Sequence, residues 1–218
     1  PDLEIANGGG IGTFDMNGGD VVIGDDILFG VGDNANGVLL QSGGTVRVGG
    51  ALLGPNTATS TLTYSLTGGL LEVADESFIT QANSSVGTFL QTDGAANFAG
   101  KLWITDGGYG RYELSGSTSL VTARELQFSS NADRHGTIAV SGGKFLVEKD
   151  ALWIDTGGNA LTTGVLELTG GTFQAGREML QSLSGNGIAQ INQDGGTNIT
   201  GALLTGAGGT YHYTSGVT

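Results

Sequence analysis

The sequence predicts an all-β protein, a single-stranded, right-handed parallel β-helix (β-solenoid) of about 8–9 coils at roughly 25 residues per coil. Three observations predict it. A short motif recurs along the whole chain, apolar residues alternate with period two inside each copy, and 42 of 218 residues are glycine. That glycine load would ruin helices, and without a Gly-X-Y period it does not make collagen.

The motif is an apolar pair, a Gly-Gly-like turn and a second apolar pair. From Gly12 it reads GTFDMNGGDVVIGDDILFG, from Gly37 GVLLQSGGTVRVGGALLG, and from Gly87 GTFLQTDGAANFAGKLWIT. From Gly136 it reads GTIAVSGGKFLVEKDALWI, and from Gly164 GVLELTGGTFQAGREMLQS. The turn positions Gly18, Gly43, Gly68 and Asp93 are spaced by 25, and later ones drift by a few residues. Such a period suits one coil of three short strands, whereas helical repeats run to roughly 33 residues or more. The whole of residues 1–218 reads as a single domain, with incomplete coils at both ends.

On the first strand of each coil, Phe14, Tyr64, Phe89, Tyr112, Ile138 and Leu166 fall in one inward column. Met16, Leu66, Leu114, Val140 and Leu168 fall in a second. Gln41 and Gln91 occupy this second column and are expected near a wet corner, because an unpaired buried amide costs a few kcal/mol. On the second strand, Val46 and Val48 match Leu71 and Val73, then Phe145 and Val147. Glycines serve the corners, and Asn34, Asn36, Asn83 and Asn131 suit exposed turns.

The third strand is ambiguous. With Leu28, Leu102, Ile104, Leu126, Phe128, Leu152 and Ile154 inward, the outward column becomes Phe29, Leu53, Ile79, Trp103, Gln127, Trp153, Gln181 and Leu204. Six of these eight are apolar. Two readings are open: an exposed apolar stripe that packs on a neighbour or stacks on sugar rings, or a register wrong by one residue.

Net charge is −13 and the sequence pI about 4.2. Nucleic acid and anionic membrane surfaces are excluded as partners, since only 8 basic residues exist to meet them. No apolar run approaches the ~20 residues of a membrane span, so no membrane insertion is expected. The absence of cysteine leaves no disulfide or thiolate chemistry. The chain begins at Pro1 with no leader pattern, which suits a processed or excised product.

At these motifs the chain resembles the G-T-Y/F-x-Q/L-x-G-G-T-x-x-V repeats of bacterial autotransporter-passenger and PEP-CTERM-type extracellular β-solenoids, from about Gly12 to Ser215. The resemblance implies a bacterial extracellular or cell-surface location and a scaffold role.

Candidate chemistry is thin, and no enzyme activity is expected. Asp25–Asp26, Asp75–Glu76 and Glu148 with Asp150 lie near turns with no second carboxylate facing them, although acid–base work needs two groups across a substrate. His135 and His212 are far apart in the repeat. No catalytic or metal-ligating residue and no cofactor is assigned. Residues 30–37 (GVGDNANG) miss the Ca²⁺-turn pattern, and carboxylate-rich turns would bind Ca²⁺ only weakly. Asn83-Ser84-Ser85 and Asn198-Ile199-Thr200 match the glycosylation triplet, which arises by chance in a chain rich in these residues.

The two ends carry the functional expectation. The first residues supply Leu3 and Ile5 of a late strand, and the last supply Tyr211, Tyr213 and Val217 of an early one. Laid tail to head they make one coil, which predicts a head-to-tail homopolymer: a filament, sheath or surface layer. A slice of a longer solenoid fits the same pattern. The alternative function is an adhesin or glycan-binding passenger segment of a larger surface protein that uses the aromatic stripe, and a polysaccharide-active enzyme is the third reading.

Overall fold

The computed structural model describes residues 1–128, 134–155, 162–182 and 187–218. Residues 129–133, 156–161 and 183–186 lie outside them, Asn131 included. The described residues form 21 strands and no helix, wound as a β-solenoid of about 8 turns.

Parallel pairing is strict on the first face. Ile11–Met16, Asn36–Gln41, Thr61–Leu66, Val86–Gln91, Tyr109–Leu114, His135–Val140 and Thr163–Leu168 stack in order, and Ile188 opens the next strand. None of the seven pairings shifts register. Period-two alternation therefore sends the same position inward in every coil. Leu39, Tyr64, Phe89, Tyr112, Ile138, Leu166 and Ile191 form a fully buried column. Tyr64 stacks on Phe89 at 4.5 Å between centroids and Phe89 on Tyr112 at 4.6 Å.

The turn between first and second strands needs glycine in a left-handed conformation. Gly44 has φ of 73°, and a Cβ there would lie 2.2 Å from the Gly19 carbonyl one coil below. Where the Gly-Gly pair becomes Asp93-Gly94, the Asp93 carboxylate accepts the Gly94 N–H at 2.8 Å and the Thr118 hydroxyl at 2.7 Å. Those hydrogen bonds hold its pKa below the usual carboxylate value.

A second glycine column opens the first strand, and it is a matter of space. Gly37 lies against the Phe29 ring, Gly87 against the Ile79 carbonyl, Gly110 against the Ile104 carbonyl and Gly136 against the Phe128 ring. One coil reverses the sizes: Gly54 follows the third strand Leu52–Leu53, and the next first strand carries buried Leu62. Bulk on one side of this corner requires its absence on the other.

Gln41 and Gln91 are buried, contrary to the expectation of a wet corner, and neither is unpaired. The Tyr64 hydroxyl donates to Gln41 Oε1 at 2.6 Å, while Gln41 Nε2 donates to the carbonyls of Gly44 (3.3 Å) and Leu70 (3.0 Å). The Tyr112 hydroxyl donates to Gln91 Oε1 at 2.6 Å, and Gln91 Nε2 to the carbonyls of Gly94 (2.9 Å) and Leu120 (3.2 Å). Gln193 and Tyr211 repeat the arrangement, with Gly196 and Val217 as acceptors. Each clasp ties one coil to the next. Burial raises the Tyr64 and Tyr112 pKa values, so both hydroxyls stay protonated donors.

The pairing follows a rule along the chain. Glutamine in the second column is followed one coil later by tyrosine in the first, and Leu66, Leu114 and Val140 are followed by Phe89, Ile138 and Leu166. Tyr112→Phe should therefore lose about 1–3 kcal/mol, because Gln91 Oε1 becomes a buried acceptor without a donor. The double change Gln91→Leu with Tyr112→Phe should recover most of that loss, since it recreates the apolar Leu66 and Phe89 arrangement. Urea denaturation of the three proteins checks this; a double variant weaker than Tyr112→Phe would defeat it.

Candidate functional site: an outward apolar face

The third strands decide which side chains line the rod. Their registers place Glu4, Leu28, Leu53, Phe78, Trp103, Gln127, Leu152, Met179 and Leu204 on successive rungs of one ladder. Leu28, Leu53, Phe78, Trp103 and Leu152 are half-buried on the outward side, and Leu204 is exposed. The rod thus carries an apolar stripe, with a membership partly different from the one the sequence suggested.

Phe29, Ile79 and Trp153 belong to the core rather than to the stripe, at 1%, 0% and 1% exposure. Leu28 and Leu152, expected inward, face out. Stretches such as Ile27-Leu28-Phe29 and Leu152-Trp153 are apolar on both faces, so alternation gives no phase, and a one-residue slip exchanges the two sides. The stacking confirms the assignment: Trp153 packs on Phe128 at 4.2 Å and on Phe173 at 5.8 Å, inside the rod. Its indole Nε1 has no hydrogen-bond partner there. Leu53, Trp103 and Leu204 do occupy the outward ladder.

At the centre of the stripe, Phe78 and Trp103 stack at 5.7 Å with an interplanar angle of 10°. The Lys101 ammonium lies 5.0 Å from the Trp103 ring centroid and donates to Gln127 Oε1 of the following coil at 3.1 Å. The Phe78 ring and the Lys101 ammonium thus both lie against the half-buried indole. The Trp103 Nε1 donates to Glu76 at 3.4 Å.

Two residues before each rung runs a second outward column. Its early members are Asp2, Asp26, Ala51 and Glu76; its later ones are Lys101, Glu125, Asp150 and Arg177. Asp26 accepts the Ala51 N–H at 2.7 Å. Glu125 lies 3.7 Å from both the Lys101 and Lys149 ammonium groups, and Arg177 Nε donates to Asp150 at 3.1 Å. The charge is acidic in the early half and mixed in the later one.

The other candidates are quickly placed. Asp2, Asp25 and Asp26 bring carboxylate oxygens within 4.8 Å of one another on a largely exposed corner. On the first face Arg111 binds Glu113 at 2.5 Å and Glu167 at 3.4 Å beside an open depression. His135 stacks on Tyr109 at 4.8 Å and bonds Thr163 at 2.8 Å, and His212 is exposed. Asn198, one glycosylation acceptor, is buried.

The residues expected at the ends divide. Leu3 and Tyr211 are partly buried against the core, and Tyr213 and Val217 are exposed. Ile5 is buried at 3% exposure and is a core residue, not part of an end surface. The chain doubles back at Ala6 so closely that a Cβ on Gly12 would lie 2.3 Å from the Ala6 nitrogen, which shuts Ile5 in. Sequence reasoning gave no hint of Glu178, buried in the column of Ile27, Leu52 and Leu102. Only its phase in the repeat marks it, and that phase is set by a corner one residue shorter than usual.

Comparison with family models, curated proteins and solved structures finds no match, so the face is interpreted from its geometry.

Proposed function

We propose that this chain is a bacterial extracellular structural protein that self-assembles head to tail into a filament, sheath or surface layer. The observation that carries this reading is the interchangeability of its coils. Seven first-face junctions share one unshifted register, so the edge of any coil is a template for any other. A contact between copies would reuse that junction and generate an open heterologous polymer. The same parallel mode pairs Leu3–Asn7 with Ile27–Val31 and Gly209–Val217 with Ile188–Thr200, and the proposed junction would repeat it between copies. The bacterial and extracellular parts of the reading rest on the repeat resemblance.

The adhesin alternative has less support. Sugar rings stack on the faces of aromatic side chains, and the Trp103 ring already contacts Phe78 and Lys101. Glycan binding lost on Trp103→Ala would restore it.

Electron microscopy of the protein at near-neutral pH tests assembly. Filaments with an axial repeat near ~40 Å, about eight to nine coils at one strand spacing each, are expected. Tyr213→Glu, which places a charge on the exposed side chain of the last strand, should shorten them. Monodisperse single rods at high concentration would sink the proposal.

A further inference from the structure

We infer that the depression on the first face, centred on Ala139, binds one uncharged pyranose ring of a glycan. The site lies mid-rod on a different face from Trp103, and it stands whether or not rods join at their ends.

Side-chain size makes the depression. The first-strand registers place Ser65, Leu90, Glu113, Ala139, Glu167 and Asn192 on successive rungs of one outward column. Ala139 is the smallest of them and stands between the two glutamates. A gap opens there, two strand spacings or roughly 10 Å between the flanking backbones. Arg111, from the adjacent outward column, closes one long side by binding Glu113 at 2.5 Å and Glu167 at 3.4 Å. The corner on the other side presents the exposed Ser115, Ser141 and Thr169. The space between them is about 280 Å³. Pockets for drug-sized ligands begin near ~300 Å³, so this one holds a single ring.

Charge selects the ligand. Arg111 holds both carboxylates, and so it occupies the position that a metal ion or an ammonium group would need. Two carboxylates and one guanidinium leave one net negative charge, on a chain of net charge −13, which repels an acidic sugar. What remains is hydrogen bonding of both kinds. Among the described residues, Glu113 Oε2 and Glu167 Oε1 have no donor and Arg111 Nη1 has no acceptor. Carboxylate oxygens accept from ring hydroxyls, and guanidinium N–H groups donate to hydroxyl oxygens. The Ala139 methyl gives the C–H face of a ring an apolar floor. A polyhydroxylated ring meets acceptor, donor and floor together, whereas an apolar ligand would strip water from the charges and return nothing.

An open site of this size binds weakly, and saturation-transfer NMR suits that range. It reads the signals of the free sugar, so single rods and filaments serve alike. The probes are methyl glucoside, methyl mannoside and methyl galactoside, with glucuronate as the acidic counterpart. At least one neutral glycoside should bind with a Kd on the order of millimolar, and glucuronate about tenfold or more weakly. Ala139→Leu fills the gap and should abolish the signal. Leucine already stands in this column at Leu40 and Leu90, so the fold accepts it. Glu113→Gln should weaken binding several-fold, and Trp103→Ala should leave it unchanged. Silence from all three glycosides at the highest attainable concentration overturns the site. Binding that survives Ala139→Leu, or that is lost in Trp103→Ala, overturns it as well by moving the sugar to another face. Sugar binding by single rods would remove end-to-end joining alone, and filaments without sugar binding would remove this site alone.

Discussion

Gly110→Ala should lower stability by about 3 kcal/mol or more, which for a chain of this length is a fall in Tm of roughly 10 °C. The new Cβ would sit 1.7 Å from the Ile104 carbonyl oxygen, so backbone must move rather than a side-chain tip. Gly110 lies mid-stack, paired with Gly87 below and Gly136 above, and a shift there opens both junctions. Because coils are stabilised by their neighbours, the rod should weaken from this point outward. Hydrogen exchange would show the loss first in Val86–Gln91 and His135–Val140. The control is Gly10→Ala, where nothing lies within 4 Å of the added methyl and no change is expected. Equal melting of the two variants would show that the corner yields, and that glycine there reflects something other than space.

That corner also shows how much of the fold could be read in the chain. The repeat was legible because the first strand alternates strictly and its turns need glycine: Tyr64, Phe89 and Tyr112 fall inward by counting twos from Gly44-type turns. The third strand was not. Its residues are apolar on both sides, and the corner before it holds one residue fewer at Leu126, Glu178 and Leu203 than in the other coils. A period of two with an unknown origin has two solutions, and the sequence pattern could not choose between them. The buried glutamines show a different limit. Gln41 alone is a polar residue at an inward position, which suggests exposure; Gln41 with Tyr64 one coil later is a satisfied pair. The informative unit was the junction between coils, not the strand.

The outward face was legible as a class of surface and not as a set of residues. An excess of apolar side chains in third strands predicted that some would face water, since the core has room for only one side of a strand. Which ones did so depended on corner length. Trp103 between Leu102 and Ile104 and Trp153 between Leu152 and Ile154 have the same apolar flanks, so alternation left both without a phase, and the structure places the first outward and the second in the core.

Glu178 supplies the second large effect, and its sign is set by burial. The carboxyl is fully shielded in an inward column, with Asn198 Nδ2 at 3.2 Å as its hydrogen-bond donor. Burial pushes its pKa from an ordinary 4.5 up to about 7, against the smaller lowering by Asn198. Arg177, next in sequence, points outward to Asp150 and does not neutralise it. The group that faces Glu178 from the last strand is the Tyr211 hydroxyl, which is not cationic. In the unfolded chain the proton leaves near pH 4.5, and in the folded chain it stays until about 7. Between those values the folded state binds more protons, so stability falls as pH rises through the window and levels off above it. The loss by pH 8 is about 3 kcal/mol. Below pH 5 the protonated carboxyl can donate to Asn198 Oδ1, which otherwise has no partner. Glu178→Gln keeps the shape, removes the charge and supplies a permanent donor. It should match the wild type at pH 4.5, exceed it by about 3 kcal/mol at pH 8, and remove the slope between. Glu178 sits one coil beneath Leu203, and Asn198 beside Tyr211, so the same ionisation should loosen the last coils first. Hydrogen exchange in Gly209–Val217 that quickens from pH 5 to 8 in the wild type, and stays slow in Glu178→Gln, would establish it. A wild-type protein equally stable at both pH values would mean that water reaches the carboxylate and solvates its charge.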